Sequence, residues 1–290
     1  MQRRTWRRNT CYKVAVYTLI TVQSSEFIVQ SSEFLTWNPE PGTQNLELNM
    51  LVSTEGIVLH FIKYGESSVI TTIYTRDFGR QSYIVNAARN KKSQNKAGLL
   101  QPLFLIDFVA YQKQAKELHR IKEFKSNLVY QNIPFEITKS SMAIFLAEVL
   151  YRSINEQESY PEMYDFIKNS LLYFDLMETG TNNFHLWFLF RLTEYLGFLP
   201  DTNKVGFEGW FDMKKGEIVH FQPSHPFYAN KEVTGKLMEL AALKINEIGG
   251  FEISRNMRDS LISVLVDYYQ LHFDDLGEIK SLKVLREVFK

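Results

Sequence analysis

Hydrophobic and polar positions alternate along residues 50–132 with the two-residue period of short β-strands. Five runs rich in β-branched and aromatic residues are separated by polar or glycine-containing turns. The runs cover residues 54–62, 69–75, 80–85, 103–111 and 118–124. The turn Asp77-Phe78-Gly79 is typical of a hairpin, because glycine adopts a positive φ without strain. This pattern predicts a five-stranded OB-type barrel, although an SH3-like barrel or a small open sheet fits it nearly as well.

In the second half of the chain the hydrophobic positions follow the period of α-helices. Met142, Phe145 and Val149 recur at helical spacing, and Ser140 or Ser141 is the expected N-cap of that helix. Further helices are predicted over residues 164–177, 184–196 and 233–248, and apolar positions within 261–268 and 282–289 mark two more.

The helix predicted over residues 184–196 is apolar on nearly every side, which indicates a buried central helix. Residues 210–213 and 218–221 flank a Lys-Lys-Gly turn and predict a small hairpin. The predicted fold is therefore a multi-domain α+β chain. An OB-fold barrel over residues 50–132 precedes an all-α helical domain over residues 133–290, into which the hairpin is inserted.

The first 49 residues differ in character from the rest. Residues 22–27 (VQSSEF) recur directly as residues 29–34, and a turn-rich stretch follows. Four arginines precede the apolar run of residues 14–22 and imitate a signal peptide, but no small-x-small cleavage site follows. That run is also too short to span a bilayer. We expect residues 1–49 to be a non-native or disordered extension, with Met50 as the natural start.

The formal net charge is zero, from 33 basic and 33 acidic residues, but the charge is unevenly distributed. Residues 50–132 carry a net charge of +6, and residues 133–290 carry −7. A basic block joined to an acidic block predicts two domains with different partners. The basic block is suited to a polyanion and the acidic block to a protein partner.

Composition excludes several classes of protein. An aromatic content of 14% excludes disorder over most of the chain, and the single Cys11 excludes a disulfide scaffold or a thiolate zinc site. The sequence contains no phosphate-binding loop, no dinucleotide fingerprint and no nucleophile elbow. We therefore expect no cofactor, no metal and no enzymatic activity.

One pattern leaves a nuclease open as an alternative. Asp275, Glu278 and Lys280 form an acidic residue followed by E-x-K, which metal-dependent nucleases use to hold Mg²⁺ and to steady the attacking water. Here the pattern lies in a connection between two predicted helices, where capping carboxylates in a solvated loop are the ordinary interpretation.

Non-covalent binding of DNA has stronger support in the sequence. Arg89, Lys91, Lys92 and Lys96 form a basic loop with only small and polar residues between them, which suits contact with phosphates without reading sequence. Charged and aromatic residues around the neighbouring hairpin complete the predicted site, with the aromatic rings stacking on bases. The predicted DNA-binding residues are Arg76, Arg80, Arg89, Lys91, Lys92, Lys96, Tyr74 and Tyr83.

Several of these segments resemble the bacterial RecO family of recombination mediators. The resemblance rests on residues 56–59 (GIVL), 64–67 (YGES), 74–80 (YTRDFGR), 87–93 (AARNKKS), 100–103 (LQPL), 196–200 (LGFLP) and 277–282 (GEIKSL). It extends over residues 50–290 in a consistent order.

The resemblance implies an OB-fold domain and a helical domain acting in recombinational DNA repair. It implies binding of single- and double-stranded DNA, annealing of complementary strands, and joint action with RecR. Such a protein helps to load RecA onto DNA coated by single-strand-binding protein, in the cytoplasm at the nucleoid and without a membrane. Many relatives carry a four-cysteine zinc site, but residues 201–221 contain no cysteine, so apolar packing is expected to hold the hairpin. A purely protein-binding adaptor remains a second alternative.

Overall fold

The computed structural model describes residues 49–86, 98–113, 117–202 and 208–289. All of these residues belong to one compact unit. The predicted extension over residues 1–49 lies outside the described residues apart from Asn49, with which the first strand begins.

Five strands form a closed barrel, as the alternating pattern predicted. They are β1 (Asn49–Tyr64), β2 (Ser68–Thr75), β3 (Gly79–Val85), β4 (Leu105–Lys113) and β5 (Leu118–Ser126). Their order is β1-β2-β3-β5-β4, and β4 pairs with β1 to close the barrel. Neighbouring strands are antiparallel except for β3 and β5, which are parallel. The prediction of an OB-type barrel is confirmed.

The barrel has a small apolar core of its own, because alternate side chains of each strand point inward. Val58, Ile73, Tyr83 and Ile106 are among the residues that fill it. At Gly56 the packing is so close that a Cβ atom would lie 2.4 Å from the Cγ2 of Ile73. Any larger residue at this position of β1 would therefore displace the barrel core.

The second half of the chain is helical, as predicted, and contains a small sheet. The helices are α1 (Ile137–Ser153), α2 (Pro161–Leu176), α3 (Phe184–Tyr195), α4 (Lys231–Ala242), α5 (Arg255–His272) and α6 (Ser281–Val288). Nine residues of α3 are buried, which confirms it as the central helix. The core around α3 extends to the barrel residues Ile57 and Tyr74, so the two halves of the chain share packing.

Several predicted helix boundaries are wrong, and two of them have a clear physical reason or a large error. Ser140 and Ser141 do not cap α1, which begins at Ile137; both hydroxyls donate to the carbonyl of Ile137 instead, at 3.2 and 2.7 Å. Serine makes such bonds inside a helix as well as at its start, so the residue type alone did not fix the boundary. The helix predicted over residues 233–248 ends at Ala242, and a separate 3-10 helix follows over Ile245–Gly250.

The predicted hairpin is present as part of a three-stranded sheet. Its strands are β6 (Trp210–Asp212), β7 (Glu217–Val219) and β8 (Tyr228–Ala229), in the order β7-β6-β8. Phe211 and Ile218 are buried in the large core, in line with the expected apolar packing. The Asp212 carboxylate also fixes the turn, because its Oδ1 accepts hydrogen bonds from the amides of Lys214 and Lys215 at 3.0 and 3.2 Å.

A single buried carboxylate holds the connection between barrel and helices. The side chain of Asp175, at the end of α2, accepts the backbone N–H groups of Gln131, Asn132 and Ile133 at 2.7 to 2.9 Å. Buried Lys139 donates to the backbone carbonyl of the same aspartate at 2.9 Å. The chain between β5 and α1 is therefore fixed to the helical domain by several hydrogen bonds.

Candidate nucleic-acid interface

The structure places Tyr74 and Tyr83 in the interior, where neither can stack on a base. Both have a relative exposure of 0%. Tyr83 points into the barrel, edge-on to Phe108 at 5.0 Å between ring centroids. Tyr74 points out of the barrel into the helical domain, and its hydroxyl lies 3.4 Å from the Tyr160 carbonyl that accepts its hydrogen bond. The prediction that these rings stack on bases is wrong, because one ring is buried in the barrel and the other against the helical domain.

Arg76 connects the barrel to α2. Its Nη1 donates to Glu55 at 2.9 Å, and its Nη2 donates to Asp165 of α2 at 2.9 Å. Lys168 of α2 also donates to Glu55. Burial would raise the pKa of Glu55, but hydrogen bonds from Lys168 and Arg76 outweigh it and hold that pKa below its ordinary value. Arg76 thus belongs to an ionic cluster between the domains, and not to the predicted phosphate-binding surface.

Arg80 is held by the end of α1. Its Nη1 donates to the carbonyls of Tyr151 and Ile154 at 2.8 and 2.6 Å, and its guanidinium lies 4.6 Å from the centroid of the Tyr151 ring. Hydrogen bonds from a charged group to carbonyls contribute about 1.5–3 kcal/mol. Arg80 is therefore an interdomain contact, in place of its predicted contact with DNA.

The turn between β2 and β3 fits tightly against the connection between α1 and α2. Gly79 has a φ of +60°, as predicted for this hairpin, and a Cβ there would lie 2.3 Å from the carbonyl oxygen of Glu158. The backbone amide of Arg80 donates to the backbone carbonyl of Glu156 at 2.9 Å, and the Ser159 hydroxyl donates to the backbone carbonyl of Arg76 at 2.9 Å. The β2–β3 hairpin therefore packs the barrel against the connection between α1 and α2.

The basic loop, Arg89, Lys91, Lys92 and Lys96, lies outside the described residues. The described chain on its N-terminal side ends at Asn86, directly after β3. The Asn86 side-chain amide lies 3.5 Å from the Ser68 hydroxyl, and its oxygen is placed to accept from the Arg120 guanidinium. The described chain before the basic loop therefore ends beside the turn between β1 and β2.

An exposed sheet surface lies at that end of the barrel. The strand register places Ile62, Ile70, Ile84 and Arg120 in one row across β1, β2, β3 and β5. Tyr64, two residues beyond Ile62, has a relative exposure of 53%. We name this surface the outer barrel face, and define it by Ile62, Tyr64, Ile70, Ile84, Arg120 and Lys122.

Sequence reasoning missed the charged edge of this face, although the sequence contains a signal for it. In β5, His119 and Ile121 are buried, and Leu118, Arg120 and Lys122 are exposed. Alternation with a period of two puts the basic side chains on the outside of a strand. Arg120 thus projects at one end of the aliphatic row, and Tyr64 lies on the same face at the β1 end, an arrangement that suits phosphates and bases together.

The acidic pattern considered for a nuclease lies in the turn between α5 and α6. Glu278 pairs with Lys283 at 2.7 Å, and the backbone amide of Lys280 donates to Glu148 of α1 at 3.1 Å. Asp275 is exposed in the same turn. Within the described ranges, no three His, Cys, Asp or Glu side chains are grouped closely enough to hold a metal ion. Glu278 therefore takes part in an ion pair, and the turn itself is fixed to α1 through Glu148.

No helix within the described part of the chain is both long enough and apolar enough to cross a bilayer.

Both halves of the chain match known families of domains. The family model described as Recombination protein O N terminal matches residues 50–127, which contain the barrel. The family model described as Recombination protein O C terminal matches residues 134–283, which contain the helices.

Full-length relatives show the same similarity. Two proteins named DNA repair protein RecO, from Phocaeicola vulgatus and Bacteroides fragilis, are each 37% identical to this chain over 240 and 241 residues. A protein of the same name from Flavobacterium psychrophilum is 34% identical over 242 residues. In each case the match covers 83% of this chain and 100% of the relative. The chain therefore belongs to the RecO family of DNA repair and recombination proteins.

Proposed function

We propose that this protein binds single- and double-stranded DNA through the outer barrel face and the basic loop, and anneals complementary strands. The observation that carries the proposal is an OB-type barrel with an exposed sheet face, which carries basic side chains, an aliphatic row and Tyr64. OB-folds use such a face and its loops to bind oligonucleotides. Membership of a family of DNA repair proteins supports it independently.

The chemistry of this surface favours binding that tolerates any sequence. Lysine and arginine neutralise phosphates, which every nucleotide carries, and Tyr64 offers an exposed ring to any base. Annealing requires two polyanionic strands to approach each other, so a surface that neutralises phosphates lowers the repulsion between them. A mediator of this kind needs no hydrolysis, no cofactor and no metal.

The partners that we propose follow from the family resemblance. They are RecR, single-strand-binding protein and, indirectly, RecA, all met at the nucleoid in the cytoplasm. The acidic helical domain is the proposed protein-binding half, because its net charge of −7 opposes binding of DNA over most of its surface. The basic barrel and the acidic helices would then engage different partners at the same time.

A strand-annealing assay tests the function. Complementary labelled oligonucleotides are mixed with the protein, with and without single-strand-binding protein on the strands. We expect faster annealing in both cases and no shortening of either strand when Mg²⁺ is added. Cleavage that depends on Mg²⁺ would favour the nuclease alternative, and failure to bind any oligonucleotide at low salt would favour the adaptor.

The salt dependence of binding tests the proposed site. Each phosphate contact contributes roughly 0.7 to the slope of log affinity against log salt on single strands. Replacing all four basic-loop residues by alanine should therefore lower the slope by about 2 to 3 and weaken all sequences alike. Replacing Lys214, Lys215, Lys231 and Lys236 of the helical domain removes the same charge as a control. An unchanged slope in the loop variant would place the DNA surface elsewhere.

We further propose that residues 1–49 are dispensable. The match to full-length relatives covers 100% of their length with 83% of this chain. A chain beginning at Met50 should express, fold and bind oligonucleotides as the full chain does. Loss of folding in the shortened chain would contradict this.

A further inference from the structure

An exposed imidazole ring lies at the border between the outer barrel face and the helical domain. His60 pairs with Thr72 across β1 and β2, next to the row that contains Ile62 and Ile70. Its side chain points to the same outward side as those of Ile62 and Tyr64, because successive residues of a strand alternate between the two sides. His60 itself is exposed. The exposed side chains on this side of β1 therefore extend from Tyr64 through His60 toward α1.

The helical domain supports one face of this ring. The imidazole of His60 stacks on the phenol ring of Tyr151 in α1, with 4.5 Å between ring centroids and 27° between ring planes. Arg80 holds Tyr151 in turn, because its guanidinium lies 4.6 Å from the centroid of the phenol ring and its Nη1 donates to the Tyr151 carbonyl at 2.8 Å. The exposed area of His60 therefore lies on the side of the ring turned away from Tyr151. The imidazole is held in position before any ligand binds.

The chemistry of this ring suits a nucleobase better than a phosphate. Partial burial, together with the charge of Arg80, lowers the pKa of His60 below its ordinary value, so the imidazole is neutral at physiological pH. A neutral ring has no charge to pair with a phosphate, but it can stack on a base, since every base has a π-face. The net charge of +6 over residues 50–132 attracts the phosphates of the same strand. The arrangement therefore combines a fixed aromatic ring with a basic surrounding.

We propose that His60, supported by Tyr151, is a stacking platform for an unpaired base and makes the barrel prefer single strands to duplex DNA. Bases inside a duplex are stacked on their neighbours, so only a single strand offers a free base to this ring. Exposed Tyr64 lies four residues along β1, about 13 Å away, so the two rings would contact different nucleotides. Pairing of two strands removes the base from the platform, and the annealed product is then bound more weakly than its strands. This inference rests on the proposed DNA-binding role of the barrel.

The ring protons of His60 report the contact directly. The full chain, isotope-labelled in its histidine rings, is titrated at neutral pH with a short oligothymidylate and followed by NMR. We expect the His60 ring signals to move upfield and to saturate together with binding, because a stacked base shields the protons above its ring. The ring signals of His220, which is exposed in the helical domain, should stay in place. Binding without movement of the His60 signals overturns the platform and leaves the DNA-binding role intact, whereas failure to bind any oligonucleotide at low salt overturns both.

Variants separate stacking from a contact with phosphate. His60→Ala should weaken binding of single strands at least about fivefold, with an unchanged salt slope, and should leave duplex binding within about twofold of the parent. His60→Phe should restore the affinity for single strands, because a phenyl ring stacks on a base and cannot donate to a phosphate. His220→Ala is the matched control, since it removes another exposed imidazole. Unchanged binding by His60→Ala, an equal loss in the Ala and Phe variants, or equal weakening for single strands and duplex overturns the proposal.

Discussion

The two ends of one sheet face of the barrel have similar side chains and different roles. At one end Tyr74 and Arg80, paired across β2 and β3, are covered by the helical domain. At the other end Tyr64 and Arg120 lie on the same outward side and remain exposed. An aromatic ring and a guanidinium on one sheet face are thus interdomain contacts at one end and exposed side chains at the other. The packing of α1 and α2 against one half of the sheet makes the difference, and the composition of the strands does not.

Gly79→Ala has the largest expected effect on the covered end. Its φ of +60° disfavours a side chain, and the added Cβ would lie 2.3 Å from the carbonyl oxygen of Glu158. The two costs together should lower the free energy of unfolding by about 3 kcal/mol or more, measured by urea denaturation. Gly65→Ala is the matched control, since Gly65 has a φ of +59° and no described atom within 4 Å of the added Cβ. Equal losses in the two variants would contradict the tight docking of the β2–β3 turn.

Arg80→Ala and Arg120→Ala separate stability from binding. The first removes hydrogen bonds from a charge to two carbonyls and should lower the free energy of unfolding by about 2 kcal/mol, with an unchanged salt slope for DNA. The second should leave stability within about 0.5 kcal/mol and lower the slope by about 0.7 on single strands. If Arg80→Ala changes the slope and Arg120→Ala does not, the covered end is the DNA surface after all.

Tyr64→Ala sharpens the comparison through the aromatic rings. Loss of a stacking partner should weaken binding of single-stranded DNA by about 1–3 kcal/mol without a change in salt slope, measured by fluorescence anisotropy. Tyr74→Phe, at the covered end, should leave the affinity unchanged because that ring has a relative exposure of 0%. Weaker binding by Tyr74→Phe together with unchanged binding by Tyr64→Ala would show that bases stack at the end covered by the helices.

Glu55→Gln probes the ionic cluster through pH and has the smallest expected effect. The folded pKa of Glu55 lies below its ordinary value of 4.5, so its ionic contribution is present above that value and is lost as pH falls through the folded pKa. The variant should therefore be less stable than the parent at neutral pH, and should lose less stability on acidification from pH 5 to pH 3 in urea titrations. Glu66→Gln, at the exposed β1–β2 turn, is the control. If the free energy of unfolding falls equally with pH in the parent and in Glu55→Gln, the ionic cluster does not stabilise the fold.

Most of the fold could be predicted from the sequence, because the spacing of hydrophobic residues and the residue types of turns are local properties. The strands, the central helix α3 and the positive φ of Gly79 all follow from residue types within a few positions of each other. The helix start at Ile137 was missed because serine bonds equally well inside a helix. Local pattern identifies an element better than its boundary.

The site was less predictable, since it depends on which surface another part of the chain covers. Nothing near Arg76 or Arg80 in the sequence shows that residues 151–168 pack against them. By contrast, the outward positions of Arg120 and Lys122 follow from alternation in β5 alone. Strand period was therefore a better guide to the exposed charges than the clustering of basic and aromatic residues around a turn.

The carboxylate of Asp175 has a mechanical consequence for a two-domain mediator. It accepts hydrogen bonds from the backbone of residues 131–133. These residues lie between the end of the first family match at residue 127 and the start of the second at residue 134. A segment between two domains is often a flexible linker, but here three backbone hydrogen bonds to one carboxylate make it a rigid connection. If DNA binds the barrel as we propose, tension on the strand would pass directly from the barrel into α2, without first being taken up by a flexible linker.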